Sequence, residues 1–326
     1  MAFSLALPAN FDPNGEGLAM TFIVPAPQGC DLNCRGCWIA QRKEAQGETI
    51  LSISNYATFF DNIVRERRVG IMAIQGHEPL LPGSWFYTEA LLRASRSKGI
   101  ASAIVTNGTH LLDKLGALKA LQLGSLTVSL DSADPIENDS YRGAKGAFHA
   151  ATAGIKAASQ DHYLRERLTV ASILPPKHAV ETLSGMPRLL TTLNVRTWSL
   201  TPFMVAGSGQ AGGPAASPDT IARDVSTLAE IANHHGVSIT LDDELEVCKV
   251  KPQDIDTVLI KRLLRRDHIV RLSPNGAIAS GLDILKRVDA QTAIWDPSQD
   301  PAVVFIKRYL ESLGQCSIRK FEKVLQ

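Results

Sequence analysis

Cys30, Cys34 and Cys37 lie within Gly29-Cys30-Asp31-Leu32-Asn33-Cys34-Arg35-Gly36-Cys37-Trp38, a C-x3-C-x2-C spacing. Three thiolates on one short loop can each hold one iron of a [4Fe–4S] cluster, for which cysteine is the usual ligand. The run offers no fourth ligand, so one iron is left open to bind another molecule. The competing chemistry is a structural zinc loop, but zinc asks for four ligands, commonly as paired C-x2-C units. The other cysteines, Cys248 and Cys316, are isolated, and His110 and His149 lack ligand spacing. Two scattered cysteines do not supply a second cluster either.

Such a loop needs a scaffold. The chain has 326 residues, 44% hydrophobic and 21% charged, with a formal net charge of +1. That is ordinary globular composition with room for a sizeable core. Near-neutral charge gives no electrostatic case for nucleic acid or an anionic membrane as partner. No apolar run reaches the roughly 20 residues of a membrane span. The first eight residues, Met1 to Pro8, lack the basic start of a signal peptide. Five cysteines, three of them crowded together, make no disulfide framework, so a reducing cytoplasm is expected.

Short apolar runs alternate with helical patterns. Strands are expected at Met20–Pro25, Gly70–Gln75, Ala101–Thr106, Ser125–Leu130, Leu168–Ile173 and Val195–Thr201. Helices are expected at Ser52–Arg68, Ser84–Lys98, Ala147–Ala158, Thr182–Leu193 and Ser217–His235. Repeated strand–helix units imply right-handed parallel crossovers. The expected fold is therefore α/β, a partial (β/α)6 TIM-like barrel over residues 1–236. A small α+β extension over 237–326 is expected to close its mouth, with short strands at Val237–Leu241 and His268–Leu272, a hairpin turning at Pro274-Asn275-Gly276 and a last helix at Pro301–Leu313. The Gly/Ala-rich stretch 206–216 reads as a loop at the same mouth.

In parallel α/β folds the loops after the strands share one face, and sites form there. The cysteine loop follows the first strand and Gly76-His77-Glu78-Pro79 the second. Thr106-Asn107-Gly108-Thr109 follows the third, Ser129-Leu130-Asp131 ends the fourth, and Tyr141-Arg142-Gly143 lies beyond it. In order and spacing these motifs resemble the radical S-adenosylmethionine (SAM) superfamily over roughly residues 18–210. The resemblance implies one [4Fe–4S] cluster on Cys30, Cys34 and Cys37, with SAM chelating the open iron. It aligns Gly76 to Pro79 with the family's Gly-Gly-Glu-Pro motif, whose backbone and Glu side chain meet the SAM amino group. It further implies that Ser129 and Asp131 lie near the SAM ribose or methionine, with Asn107 close by. Arg142 is then expected on the SAM carboxylate, Ser172 on the ribose, and Pro202 and Phe203 beside the adenine. Two positions depart from the family. His77 replaces the second glycine, where the backbone does the work, and Gly36 replaces the usual aromatic before the third cysteine, a gap that Trp38 is expected to fill. Ser280 stands where a ligand of an auxiliary cluster would be, so no second cluster is expected.

The resemblance also implies a 5′-deoxyadenosyl radical that abstracts hydrogen from a carbon, fed by an external one-electron reductant such as flavodoxin or ferredoxin. Epimerisation then needs a thiol to return hydrogen to the opposite face, and Cys248 is the candidate. A small buried hydrophobe is an equally open reading of that residue. Asp242, Asp243, Glu244 and Glu246 beside it suit a cationic aminosugar substrate, or else form a solvated turn. This combination is similar to the neomycin C epimerase type of aminoglycoside-modifying enzyme. A dehydrogenase or decarboxylase of a sugar or nucleoside is the alternative, and a zinc-binding module without catalysis the remote one.

Overall fold

The computed structural model describes residues 18–23, 29–37, 69–203, 216–241, 269–272, 278–280 and 283–284. Six parallel strands form its centre: β1 (Leu18–Ile23), β2 (Val69–Gln75), β3 (Ala101–Thr106), β4 (Ser125–Ser129), β5 (Leu168–Leu174) and β6 (Thr197–Pro202). They lie side by side in chain order, as expected of right-handed strand–helix crossovers. β7 (Ser238–Leu241) adds to β6, and β8 (Ile269–Leu272) adds in parallel to the free edge of β1. The short strands β9 (Ile278–Ser280) and β10 (Asp283–Ile284) continue outward from β8 by antiparallel pairing. The sheet thus runs unbroken past residue 236, and the expected hairpin is the β8–β9 pair.

The helices are α1 (Pro82–Ser97), α2 (Leu111–Ala120), α3 (Pro135–Arg142), α4 (Ala147–Gln160), α5 (His162–Arg165), α6 (Ala179–Leu183), α7 (Met186–Thr192) and α8 (Pro218–His234). The single helix expected at Thr182–Leu193 is broken in two. Pro187 lacks an N–H and fits only a first helical turn, so a new helix starts at Met186. The helices expected at Ser52–Arg68 and Pro301–Leu313 lie outside the described residues, as does most of the 206–216 loop.

Strand period decides which side chains reach the site. Met72, Ile74, Ile104, Leu126, Val128, Val170, Trp198 and Leu200 form one buried layer with leucines and alanines of the helices. Residues of the opposite parity face the other way: Ile71, Ala73 and Ala103 make a small cluster of their own. Further along that face come Thr127, Thr169, Ser199 and Thr201, all buried. Strands buried on both faces are the rule in parallel sheets. Here the face away from the helices is mixed, apolar at β2 and rich in hydroxyls from β4 to β6.

Candidate active site

The cysteine loop is tied to the end of α3 by backbone. Asn33 N–H donates to Arg142 O at 3.1 Å and Arg35 N–H to Tyr141 O at 2.9 Å. The Arg35 guanidinium also reaches Ser140 Oγ at 2.8 Å. α3 is fixed at both ends: Asp134 accepts from the N–H groups of Ile136 and Glu137, Pro135 opens the first turn, and Gly143 closes it at φ 69°. A Cβ on Gly143 would overlap the Asn33 carbonyl, so only glycine lets loop and helix meet.

The three cysteines are half-buried. Asn107 Nδ2 lies 3.6 Å from Cys30 Sγ, and Arg142 Nη1 lies 3.9 Å from Cys34 Sγ. Burial pushes the Cys30 thiol up to about 12. It pushes Cys34 up as well, against the pull of Arg142. Thiolates at these positions therefore need a cation to take the proton's place. Among the described residues no three His, Cys, Asp or Glu side chains gather round a single metal-ion position. Zinc draws its ligands to one point, whereas in a cubane each thiolate takes its own iron. N–H donors beside two sulfurs suit the same group.

The next two loops lock onto this one. Glu78 is fully buried: Oε1 accepts from Leu80 N–H at 2.9 Å and Thr106 Oγ1 at 2.5 Å, and Oε2 from Asn107 N–H at 2.7 Å. Burial raises its pKa to about 7, against the pull of those three donors. Both oxygens accept from the protein, and Glu78 binds the β2 loop to the β3 loop. Asn107 Nδ2 and Thr109 Oγ1 in turn hold the Asp31 carboxylate at 2.8 and 2.6 Å, and His110 Nε2 stands 3.3 Å from it. Gly76 and His77 follow β2 at φ 95° and 45°, and Pro79 is buried behind them. For His77 that left-handed backbone is strained. His77→Gly should therefore raise stability by about 1 kcal/mol in thermal melts, the strain outweighing glycine's extra chain entropy. A lower melting temperature would mean that contacts of the imidazole outweigh the strain.

Three of the expected residues have partners within the protein. Arg142 Nη2 pairs with Asp131 Oδ2 at 2.6 Å and Nη1 faces Cys34, while its buried Nε has no hydrogen-bond partner among the described residues. Asp131 is committed likewise, its Oδ1 accepting from Ile173 N–H at 2.7 Å. Ser172 cannot reach a ribose. It shares the helix-facing parity of Leu168, Val170 and Leu174, donates to Leu130 O at 2.5 Å and accepts from Trp198 Nε1 at 2.9 Å. Ser129 has the opposite parity and is half-buried at the end of β4, on the site face. Phe203 follows β6 and reaches the cysteine loop at Gly36.

Gly36 explains its own departure from the family. A Cβ there would overlap the Tyr141 hydroxyl and press on the Phe203 ring. Tyr141, from α3, thus lies against Gly36, and the Tyr-Arg-Gly motif gave no hint of this. Trp38, Cys248 and the carboxylates at 242–246 lie outside the described residues.

A family model, the Radical SAM superfamily, matches residues 24–181, which hold the cysteines and the loops after β2 to β4. This segment belongs to the radical SAM superfamily. Enzymes of that family use a [4Fe–4S] cluster and SAM, and the three cysteines with the N–H donors beside them fit the cluster. This chain is 32% identical over 130 residues to the AdoMet-dependent heme synthase of Methanosarcina barkeri, covering 39% of this chain and 36% of that protein. It is 34% identical over 134 residues to the Fe-coproporphyrin III synthase of the same organism, covering 40% and 32%. The chain spans about a third of the length of these curated relatives. Among solved structures it is similar to Streptococcus suis SuiB bound to S-adenosylmethionine, with TM-score 0.63 and 16% identity over 89% of this chain and 66% of that one. It also resembles AdoMet-bound anSMEcpe, with TM-score 0.53 and 16% identity over 68% and 63%. At such identities the likeness is one of fold, and that fold is the expected partial barrel. The relatives named here carry the names of heme-pathway enzymes and not of an aminosugar epimerase. No helix among the described residues is long and apolar enough to cross a membrane.

Proposed function

We propose that this radical SAM enzyme abstracts hydrogen from an unactivated carbon of a small organic substrate, using one cluster on Cys30, Cys34 and Cys37. The observation that carries the reading is three half-buried thiols on one loop, two of them facing N–H donors. When bound, the cluster and SAM supply a one-electron cleavage that yields methionine and a 5′-deoxyadenosyl radical. The chain's own part is positional. Glu78 and Asp31 clamp three loops into one rigid rim, and Arg142 offsets the negative charge gathered beside Cys34. Phe203 and Tyr141 keep water from the Gly36 side. An external flavodoxin or ferredoxin is proposed as the electron source.

For the substrate we retain a cationic aminosugar, with Cys248 returning hydrogen in an epimerisation. The acidic residues Asp242, Asp243, Glu244 and Glu246 next to that thiol support it. A second reading takes a tetrapyrrole and removes a carboxyl group; the identity to the two heme-pathway relatives supports that one. One experiment separates them: anaerobic enzyme, SAM and reductant in deuterated water, with neomycin C and Fe-coproporphyrin III in parallel. A single non-exchangeable deuterium gained by the aminoglycoside supports the epimerase. Loss of carbon dioxide from the porphyrin supports the second reading. 5′-Deoxyadenosine with neither substrate altered sinks both.

A further inference from the structure

Tyr141 is the next-to-last residue of α3, and its backbone carbonyl already holds Arg35 of the cysteine loop at 2.9 Å. Its ring continues into that loop. The hydroxyl stops against the α-carbon of Gly36, where a Cβ would overlap it, with the Phe203 ring on the other side. Gly36 lies between Cys34 and Cys37, and the phenol feels the charge of both. The hydroxyl oxygen is buried and has no hydrogen-bond partner among the described residues. Asp131, the carboxylate whose field also reaches it, is engaged by Ile173 N–H and Arg142. A buried hydroxyl without an acceptor is costly and rare. Phenylalanine would fill the same volume without that cost, so the oxygen calls for an acceptor that the described residues do not supply. The acceptors due at this place are the sulfurs of a cluster on the neighbouring cysteines.

We propose that Tyr141 is a positioning residue for the cluster: its hydroxyl donates a hydrogen bond to a cluster sulfur and so raises the cluster's reduction potential. The inference rests on the cluster reading above. A donor at sulfur stabilises the more negative, reduced state. Burial pushes the phenol's pKa up, so the proton stays on the oxygen at neutral pH. The absent side chain at Gly36 is the other half of the arrangement, since any larger residue there pushes the hydroxyl off its line.

The test is a redox titration of the reconstituted full chain, followed by electron paramagnetic resonance, with iron content and melting temperature measured alongside. Tyr141→Phe keeps the ring and removes the donor. It should load iron as the wild type does and titrate at a more negative potential. At the wild-type midpoint its ratio of reduced to oxidised cluster should fall about tenfold, a shift of about 59 mV for one electron. Gly36→Ala displaces the same hydroxyl from the opposite side and should shift the potential in the same direction. The double variant should go no further than Tyr141→Phe alone. An unchanged potential in Tyr141→Phe, or additive shifts in the double variant, would overturn the proposal. So would a folded Phe variant that takes up no iron, because a hydrogen bond to sulfur tunes a cluster and does not hold it. A wild type without a cluster would instead overturn the reading of the site.

Discussion

Arg142→Met should destabilise the folded chain by about 3–5 kcal/mol, the usual cost of leaving one partner of a buried ion pair alone. The Arg142 and Asp131 side chains are only 12% and 4% exposed, and they meet at 2.6 Å. Methionine fills much of the volume but leaves the Asp131 carboxylate with one backbone donor, Ile173 N–H. Burial already raises the Asp131 pKa, and Arg142 pulls it back. Without the guanidinium it rises further. A carboxyl whose folded pKa lies above its unfolded one loses stability as pH rises through the interval between them. The variant's deficit should thus be largest at neutral pH and shrink on acidification, as the buried carboxyl takes a proton. Urea melts at two pH values read this directly, and Asp131→Asn in the same background should recover part of the loss. A deficit independent of pH would show that packing, and not charge, is what Arg142 contributes.

Cys34→Ala should remove reductive SAM cleavage by well over about 100-fold, beyond the 10–100-fold that loss of an outer partner costs. The thiol sits between the backbone anchors at Asn33 and Arg35, which do not depend on it. The loop should therefore keep its path, and the melting temperature of the metal-free chain should change little. Iron content and 5′-deoxyadenosine yield are the measurements. A variant that keeps both would place the cluster elsewhere.

Much of this was legible from the chain. Strands β2 to β5 begin and end within a residue or so of the expected bounds, because Val, Ile and Leu runs flanked by Gly, Asn or Asp mark strands buried on both faces. Three helices were not foreseen, one of them the four-residue α5. α2 carries Gly116 in its middle, which dilutes the helical pattern, and α3 has only 8 residues, although Asp134-Pro135 is a clear start signal. Residue type pointed to the site but not to partnership. Glu78, Asp131 and Arg142 each have partners inside the protein, Glu78 on backbone and Thr106 and the other two on one another. Ser172 was misplaced for a reason that strand parity reveals: it alternates in step with Val170 and Leu174, so it must face the helices. The complement of Gly36 by Tyr141 joins residues 105 positions apart, and no local pattern carries that.

Anaerobic reconstitution of the full chain, followed by reaction with SAM and dithionite, tests the central claim most directly. The account predicts a brown protein with about four irons per chain that forms 5′-deoxyadenosine. A colourless chain holding one zinc, or an iron-loaded chain that leaves SAM intact, would contradict it.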